Sequence, residues 1–145
     1  MMLLIPKSVT SYLTVDCSLR QGLEKMKYHG YTAIPVLDTD GEYLGTVSEG
    51  DFLWNMAGRE EFDMRDQENV PISAILKKDK RPPLRIDSGM EELVADLMER
   101  NFSPVVDDRG KFVGIVTRRD VMRVLSEEYF AGDNDGTTET DNAVI

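Results

Sequence analysis

At 145 residues, with 41% apolar and 30% charged side chains, the chain is long enough for one well-packed core or two small halves that share one. A formal net charge of −10 and no apolar run near about eighteen residues argue against a nucleic-acid partner and against any association with a membrane. The opening M-M-L-L-I-P is too short for a signal peptide and the single cysteine, Cys17, builds no disulfide framework, so a cytoplasmic location is expected.

In chain order, Ser18 reads as the N-cap of a helix whose apolar stripe is Leu19, Leu23 and Met26. P-V-L-D-T-D-G-E-Y-L-G-T-V follows, two apolar runs joined by an Asp/Gly turn, which is a hairpin signal. A second helix is predicted after Ser48, with Phe52, Leu53 and Met56 on its apolar face. Gly58 to Asn69 is a charged connector, and V-P-I-S-A-I-L predicts a short helix with Pro71 in its first turn. The run K-K-D-K-R-P-P-L-R is the basic stretch of the chain. Beyond it, Asp87 or Ser88 is the expected N-cap of a helix striped by Met90, Leu93, Val94, Leu97 and Met98. P-V-V-D-D-R-G-K-F-V-G-I-V predicts a second hairpin, and Val121, Met122, Val124 and Leu125 a last helix after Thr117. The ending from Gly132 holds four acids and no bases, and its small polar residues predict disorder over 131–145.

The second half repeats the first. Val15-Asp16 matches Ile86-Asp87 at an offset of 71, while Pro35-Val36, Gly41, Gly45 and Asp51 match Pro104-Val105, Gly110, Gly114 and Asp120 at 69. A tandem duplication accounts for this. The expected fold is mixed α/β (α+β), two β-α-β-β-α repeats related by a pseudo-two-fold axis. They span 1–57 and 77–130, with a connector over 58–76. One such unit has too little core to stand alone, and pairing two leaves paired clefts where strand ends and helix starts converge.

The order of elements, the run Y-T-A-I-P-V-L-D and the doubled G-h-h-[ST]-x-x-D (h, apolar) resemble a cystathionine-β-synthase (CBS) domain pair, or Bateman module, over roughly Ser8 to Glu128. The resemblance implies a non-catalytic, regulatory binder of adenosine-containing ligands, assembled as a homodimer and read by a target protein. A narrower resemblance is to small stand-alone bacterial CBS-pair proteins that bind cyclic di-AMP, which share G-Y-T-A-I-P-V-L-D and T-R-R. It implies Thr10, Ser11, Tyr31, Thr32 and Ala33 facing the base, and Arg118 and Arg119 facing phosphate. Retention of Asp120 departs from that group and favours a ligand with a free ribose diol.

Residue chemistry supports a nucleotide. Thr117 sits where a strand gives way to a helix, whose first N–H groups and dipole suit a phosphate. Arg118 or Arg119 can add a bidentate pair, and the Asp120 carboxylate can accept from both ribose hydroxyls. AMP, ADP or ATP is therefore the expected regulatory ligand, with cyclic di-AMP as the alternative. The plainer reading of T-x-x-D and S-x-x-D is a helix cap. Ser48, Asp51, Arg81 and Pro82 mark a second cleft, where Glu49 would repel phosphate. The basic run is either a solvated linker or a contact for a phosphate tail or acidic partner. His29 reads as a surface residue, Trp54 as core or dimer interface, and the methionines as packing. No nucleophile–base pair or metal-ligand set is present, so no enzyme is expected. A ligand-free interaction scaffold is the competing function.

Overall fold

The computed structural model describes residues 2–57, 69–76 and 81–131. Most of the connector, Lys77, Lys78, Lys80, the side chain of Met56 and the acidic tail lie outside the described residues. The chain opens with β1 (Ile5–Pro6) and a 3-10 turn (Lys7–Val9). The first repeat is β2 (Leu13–Thr14), α1 (Leu19–His29), β3 (Ala33–Leu37), β4 (Tyr43–Ser48) and α2 (Glu49–Ala57). A 3-10 turn at Ile72–Ala74 precedes the second repeat: β5 (Leu84–Arg85), α3 (Met90–Leu97), β6 (Phe102–Val106), β7 (Phe112–Thr117) and α4 (Arg118–Ala131). Both repeats follow β-α-β-β-α, as the duplication predicts.

Local chemistry sets the element ends. Ser18 Oγ accepts from the Gln21 N–H while Gln21 Oε1 accepts from the Ser18 N–H, a reciprocal box that starts α1. Helix α3 departs from expectation, because it starts behind Gly89 with no side-chain cap, rather than behind Asp87 or Ser88. The Ser88 N–H is already committed to the Arg85 carbonyl, closing a turn that delays the helix. Pro71 stands just ahead of its 3-10 turn as the N-cap residue. The methionines also correct the sequence reading. Met26 is buried, whereas Met90, Met98 and Met122 are exposed, Met98 at 75%. A five-residue stripe subtends a wider arc of a short helix than the sheet beneath it covers, so its flanks stay in solvent.

The strands form a sheet in the order β1-β7-β6-β5 and a second in the order β2-β3-β4. Each repeat has its own core, and each core is closed by the segment that precedes the other repeat. Ile72 and Ile75 join Leu13, Leu19, Met26, Ile34, Val36, Val47 and Phe52 in the first. Leu3 and Leu4 pack on Leu93, Leu97, Val105, Val116 and Val121 in the second. The hairpin tips also meet. Phe112 N–H donates to Gly41 O at 2.9 Å and Tyr43 N–H to Gly110 O at 3.4 Å, bonds exchanged by the pseudo-two-fold. Gly41 and Gly110 hold positive φ at these tips. The Lys111 N–H, with the Arg109 N–H after it, holds the Asp107 carboxyl below its usual range. Because the folded value is the lower one, this contribution is complete above the unfolded carboxyl range and is lost as pH falls through the lowered value.

β1 runs antiparallel to β7 with Pro6 opposite Gly114. Gly114 has φ +153°, and a Cβ there would lie 2.1 Å from the Ile5 carbonyl oxygen. This explains the glycine that leads the second copy of the motif: β1 passes where a side chain would stand. Gly114→Ala should therefore cost about 2 kcal/mol and lower the melting temperature by several degrees. Gly50→Ala, whose nearest neighbour would be Ser48 Oγ at 3.6 Å, should be neutral or slightly stabilising. Urea unfolding of both variants checks the contrast.

Candidate functional site

The crossing of β1 onto the second repeat carries the following residues to the junction between repeats. Thr10 is fixed there by its Oγ1, which donates to the carbonyls of Pro6 (2.9 Å) and Ile5 (3.2 Å). A cavity of about 700 Å³ opens beside it. The first repeat and its leader supply Thr10, Ser11, Tyr31, Thr32, Ala33 and Thr46, and the second supplies Arg100, Asn101, Phe102, Ile115 and Thr117. The volume falls in the range of small-molecule sites, and the lining mixes apolar groups with a few polar ones.

Of the nine ligand-binding residues singled out in the sequence, six line this cavity: Thr10, Ser11, Tyr31, Thr32, Ala33 and Thr117. The other three lie around the start of α4. Arg118 Nε donates to Leu97 O at 2.7 Å, so its guanidinium closes the C-terminal end of α3, where a cation suits the helix dipole. Arg119 is exposed. The Asp120 N–H donates to Thr117 Oγ1 at 3.2 Å, while the Asp120 carboxylate pairs with Arg123 at 3.2 Å. The backbone at this helix start is partly engaged as well, since the Arg118 N–H donates to Asn101 O at 2.8 Å. Its mate under the pseudo-two-fold is the Glu49 N–H to Thr32 O, 3.0 Å.

The residues read as a second cleft are engaged within the protein. Ser48 and Asp51 form a reciprocal cap. Asp51 Oδ2 accepts from the Ser48 N–H (2.8 Å), and the Asp51 N–H donates to Ser48 Oγ (3.3 Å). Arg81 reaches Asp96 at 3.2 Å and Glu99 at 3.9 Å, and the Pro82 carbonyl accepts from Arg100 at 2.9 Å. Of the two basic residues of the run that lie among the described ones, Arg81 is thus paired with an acid of α3 and Arg85 with Asp87 at 3.5 Å.

Sequence reasoning missed Arg100 and the network behind it. Asp96 is 6% exposed and accepts from Arg100 Nε (2.7 Å), Arg81 and the fully buried Ser103 hydroxyl. Two signals were present: an acid inside the apolar stripe of α3, between Leu93 and Leu97, and Ser103 at the repeat position of Ile34. His29 is exposed as expected, yet its Nε2 lies 3.2 Å from Ser11 Oγ and its ring stacks on Tyr31 at 5.2 Å. It therefore braces two residues of the cleft. Trp54 is 72% exposed, which removes the core alternative. Burial, with the Asp16 charge second, pushes the Cys17 thiol above its ordinary value.

Residues 7–58 and 79–127 each match the CBS domain. The chain belongs to the CBS-domain family, as a tandem pair. It is similar to Cyclic di-AMP receptor B of Bacillus subtilis, 25% identical over 124 residues that cover 86% of this chain and 84% of that protein. It spans about half the length of some other curated relatives it matches. Among solved structures, the CbpB protein of Listeria monocytogenes in complex with c-di-AMP superposes with a TM-score of 0.78 at 23% identity, over 88% of this chain and 95% of that one. CBSX2 in complex with AMP gives 0.70 at 22%, over 88% and 96%. These two structures share the fold. CBS pairs are regulatory ligand-binding modules, and no helix among the described residues is long and apolar enough to cross a membrane.

The contrast between the two acids is measurable. Asp51→Ala should cost about 1 kcal/mol, the loss of a cap. Asp96→Ala removes the carboxylate that balances the largely buried charge of Arg100, whose side chain is 15% exposed, and should cost about 3 kcal/mol, seen as a lower urea midpoint with an unchanged slope. Cys17 should react with iodoacetamide at neutral pH more slowly than free cysteine, which mass spectrometry of timed samples will read.

Proposed function

We propose that this CBS pair binds an adenine nucleotide in the cleft between its repeats and passes the occupancy of that cleft to a partner protein. The observation that carries the reading is the convergence of Thr10, Ser11, Tyr31, Thr32, Ala33 and Thr117, from both repeats, around one cavity of about 700 Å³. The base lies beside Tyr31 and the Thr32-Ala33 backbone, whose N–H and C=O groups can read adenine. The ribose hydroxyls reach Asp120 in competition with Arg123, and the phosphate lies on the side of the cleft formed by the second repeat, where Thr117 leads into α4 and Arg119 stands outside the lining. No bond of the ligand is broken. Ligand bridges segments from the two repeats, so binding favours one of their arrangements over others, and a partner that distinguishes those arrangements is coupled to it. Leu53, Trp54, Met122 and Tyr129 are exposed on α2 and α4, which supports a homodimer through these helices, to be checked by light scattering.

AMP, ADP or ATP is the first reading, because Asp120 suits a free ribose diol. Cyclic di-AMP is the second, favoured by the engagement of Asp120 with Arg123 and by the name of the Bacillus relative. A thermal-shift panel of AMP, ADP, ATP and cyclic di-AMP separates them. A ligand at about a hundred times its Kd adds about 2.7 kcal/mol, several degrees in a chain of this size. Under the first reading a mononucleotide raises the wild type and both Tyr31→Ala and Asp120→Ala lose most of the rise. A response to cyclic di-AMP alone, kept in Asp120→Ala, selects the second. No shift with any of the four, after carried-over nucleotide has been removed, leaves the interaction scaffold.

A further inference from the structure

Among the described residues that line the cleft, Arg100 alone carries a formal charge. A cavity lined otherwise by neutral side chains, with one cation at its wall, is suited to a ligand that combines an aromatic or apolar body with one anionic group. The guanidinium is also unusually constrained for an arginine. Its Nε is held at 2.7 Å by Asp96, a second nitrogen donates to Pro82 O at 2.9 Å, and Asp96 is itself fixed by the buried Ser103 hydroxyl and Arg81. Such anchoring removes most of the rotamer freedom that a surface arginine would lose on meeting an anion.

The repeat shows that this network is special to one half. Asp96, Arg100, Arg81 and Ser103 occupy the repeat positions of Lys25, His29, Thr10 and Ile34. In the first half Lys25 donates to the Tyr12 carbonyl at 2.6 Å and His29 meets Ser11, so each helix ties down the segment ahead of its repeat. Only in the second half does the tie end in a charged group on the cleft wall.

Resting on the adenine-nucleotide reading above, we propose that Arg100 is the phosphate-recognising side chain of the cleft, with Asp96 as the positioning residue that aims it. Arg118, turned to the end of α3, is not required for that contact.

The test compares AMP, or cyclic di-AMP if the wild type binds that instead, with adenosine by calorimetry and ligand-observed NMR. Arg100→Gln should weaken the nucleotide about tenfold or more, flatten the salt dependence of its binding, and leave adenosine unchanged. Arg100→Lys should recover part of the loss. The double variant Asp96→Asn/Arg100→Gln, which leaves no buried carboxylate short of a partner, should repeat the pattern if the single variant folds poorly. Nucleotide affinity unchanged in Arg100→Gln, or nucleotide and adenosine weakened equally in both variants, overturns the role of Arg100 while the ligand reading stands. A wild type that binds neither nucleotide nor adenosine overturns both.

Discussion

The passage of β1 across Gly114 is the contact on which the rest of the arrangement depends. A two-residue strand adds only a few hydrogen bonds, yet it commits the N-terminal segment to the repeat that comes later in the chain. Leu3 and Leu4 then seal the second core, while Ile72 and Ile75 seal the first. Two half-cores, each too small alone, thereby become mutually dependent. The same crossing sets Thr10 and Ser11 against the second repeat, so the feature that stabilises the pair also forms a wall of the cleft.

Duplication supplied symmetry, and the chemistry of the copies then diverged. The backbone bonds at the hairpin tips and at the helix starts are kept in both halves, because strand and helix geometry demand them whatever the side chains. The side chains between those fixed points were free to change. In the first repeat S-x-x-D closed on itself as a cap, whereas in the second Asp120 turned to Arg123. Among the described residues, a buried ionic cluster is found around Asp96 in the second half and not at the matching positions of the first. Such a cluster stabilises little against an apolar alternative, since desolvation offsets most of its Coulombic gain. Under the proposal that Arg100 meets a phosphate, its placement beside a ligand-sized cavity gives it a reason other than stability.

Much of the fold was legible from residues. Ser18 with Gln21 announced α1, and the Asp/Gly turns announced both hairpins, because these are local bonds between neighbours in sequence. The delayed start of α3 was not legible, since Asp87 and Ser88 are both good caps and the turn that pre-empted them depends on β5 docking beside β6. Thr117 was singled out by the repeated motif, and Tyr31 and Thr32 by the resemblance that Y-T-A-I-P-V-L-D carries; all three line the cavity. Arg100, just past the end of α3, was missed because its signals, Asp96 in the apolar stripe and Ser103 at the position of Ile34, lie on other residues and do not say which base they meet. Arg118 carried the motif and yet faces the end of α3, a direction that no spacing encodes.

The sequence by itself determined the duplication, the order of elements in each copy, and which loops meet at strand-to-helix junctions, for these follow from periodicity, capping and turn chemistry acting over a few residues. Only the tertiary structure decided which repeat the N-terminal strand would join, which arginine would reach the cleft, and which copy of the motif would close on itself. Those outcomes depend on groups about seventy positions apart in the chain competing for the same space and the same hydrogen-bond partners, and that competition exists only once the two halves are packed.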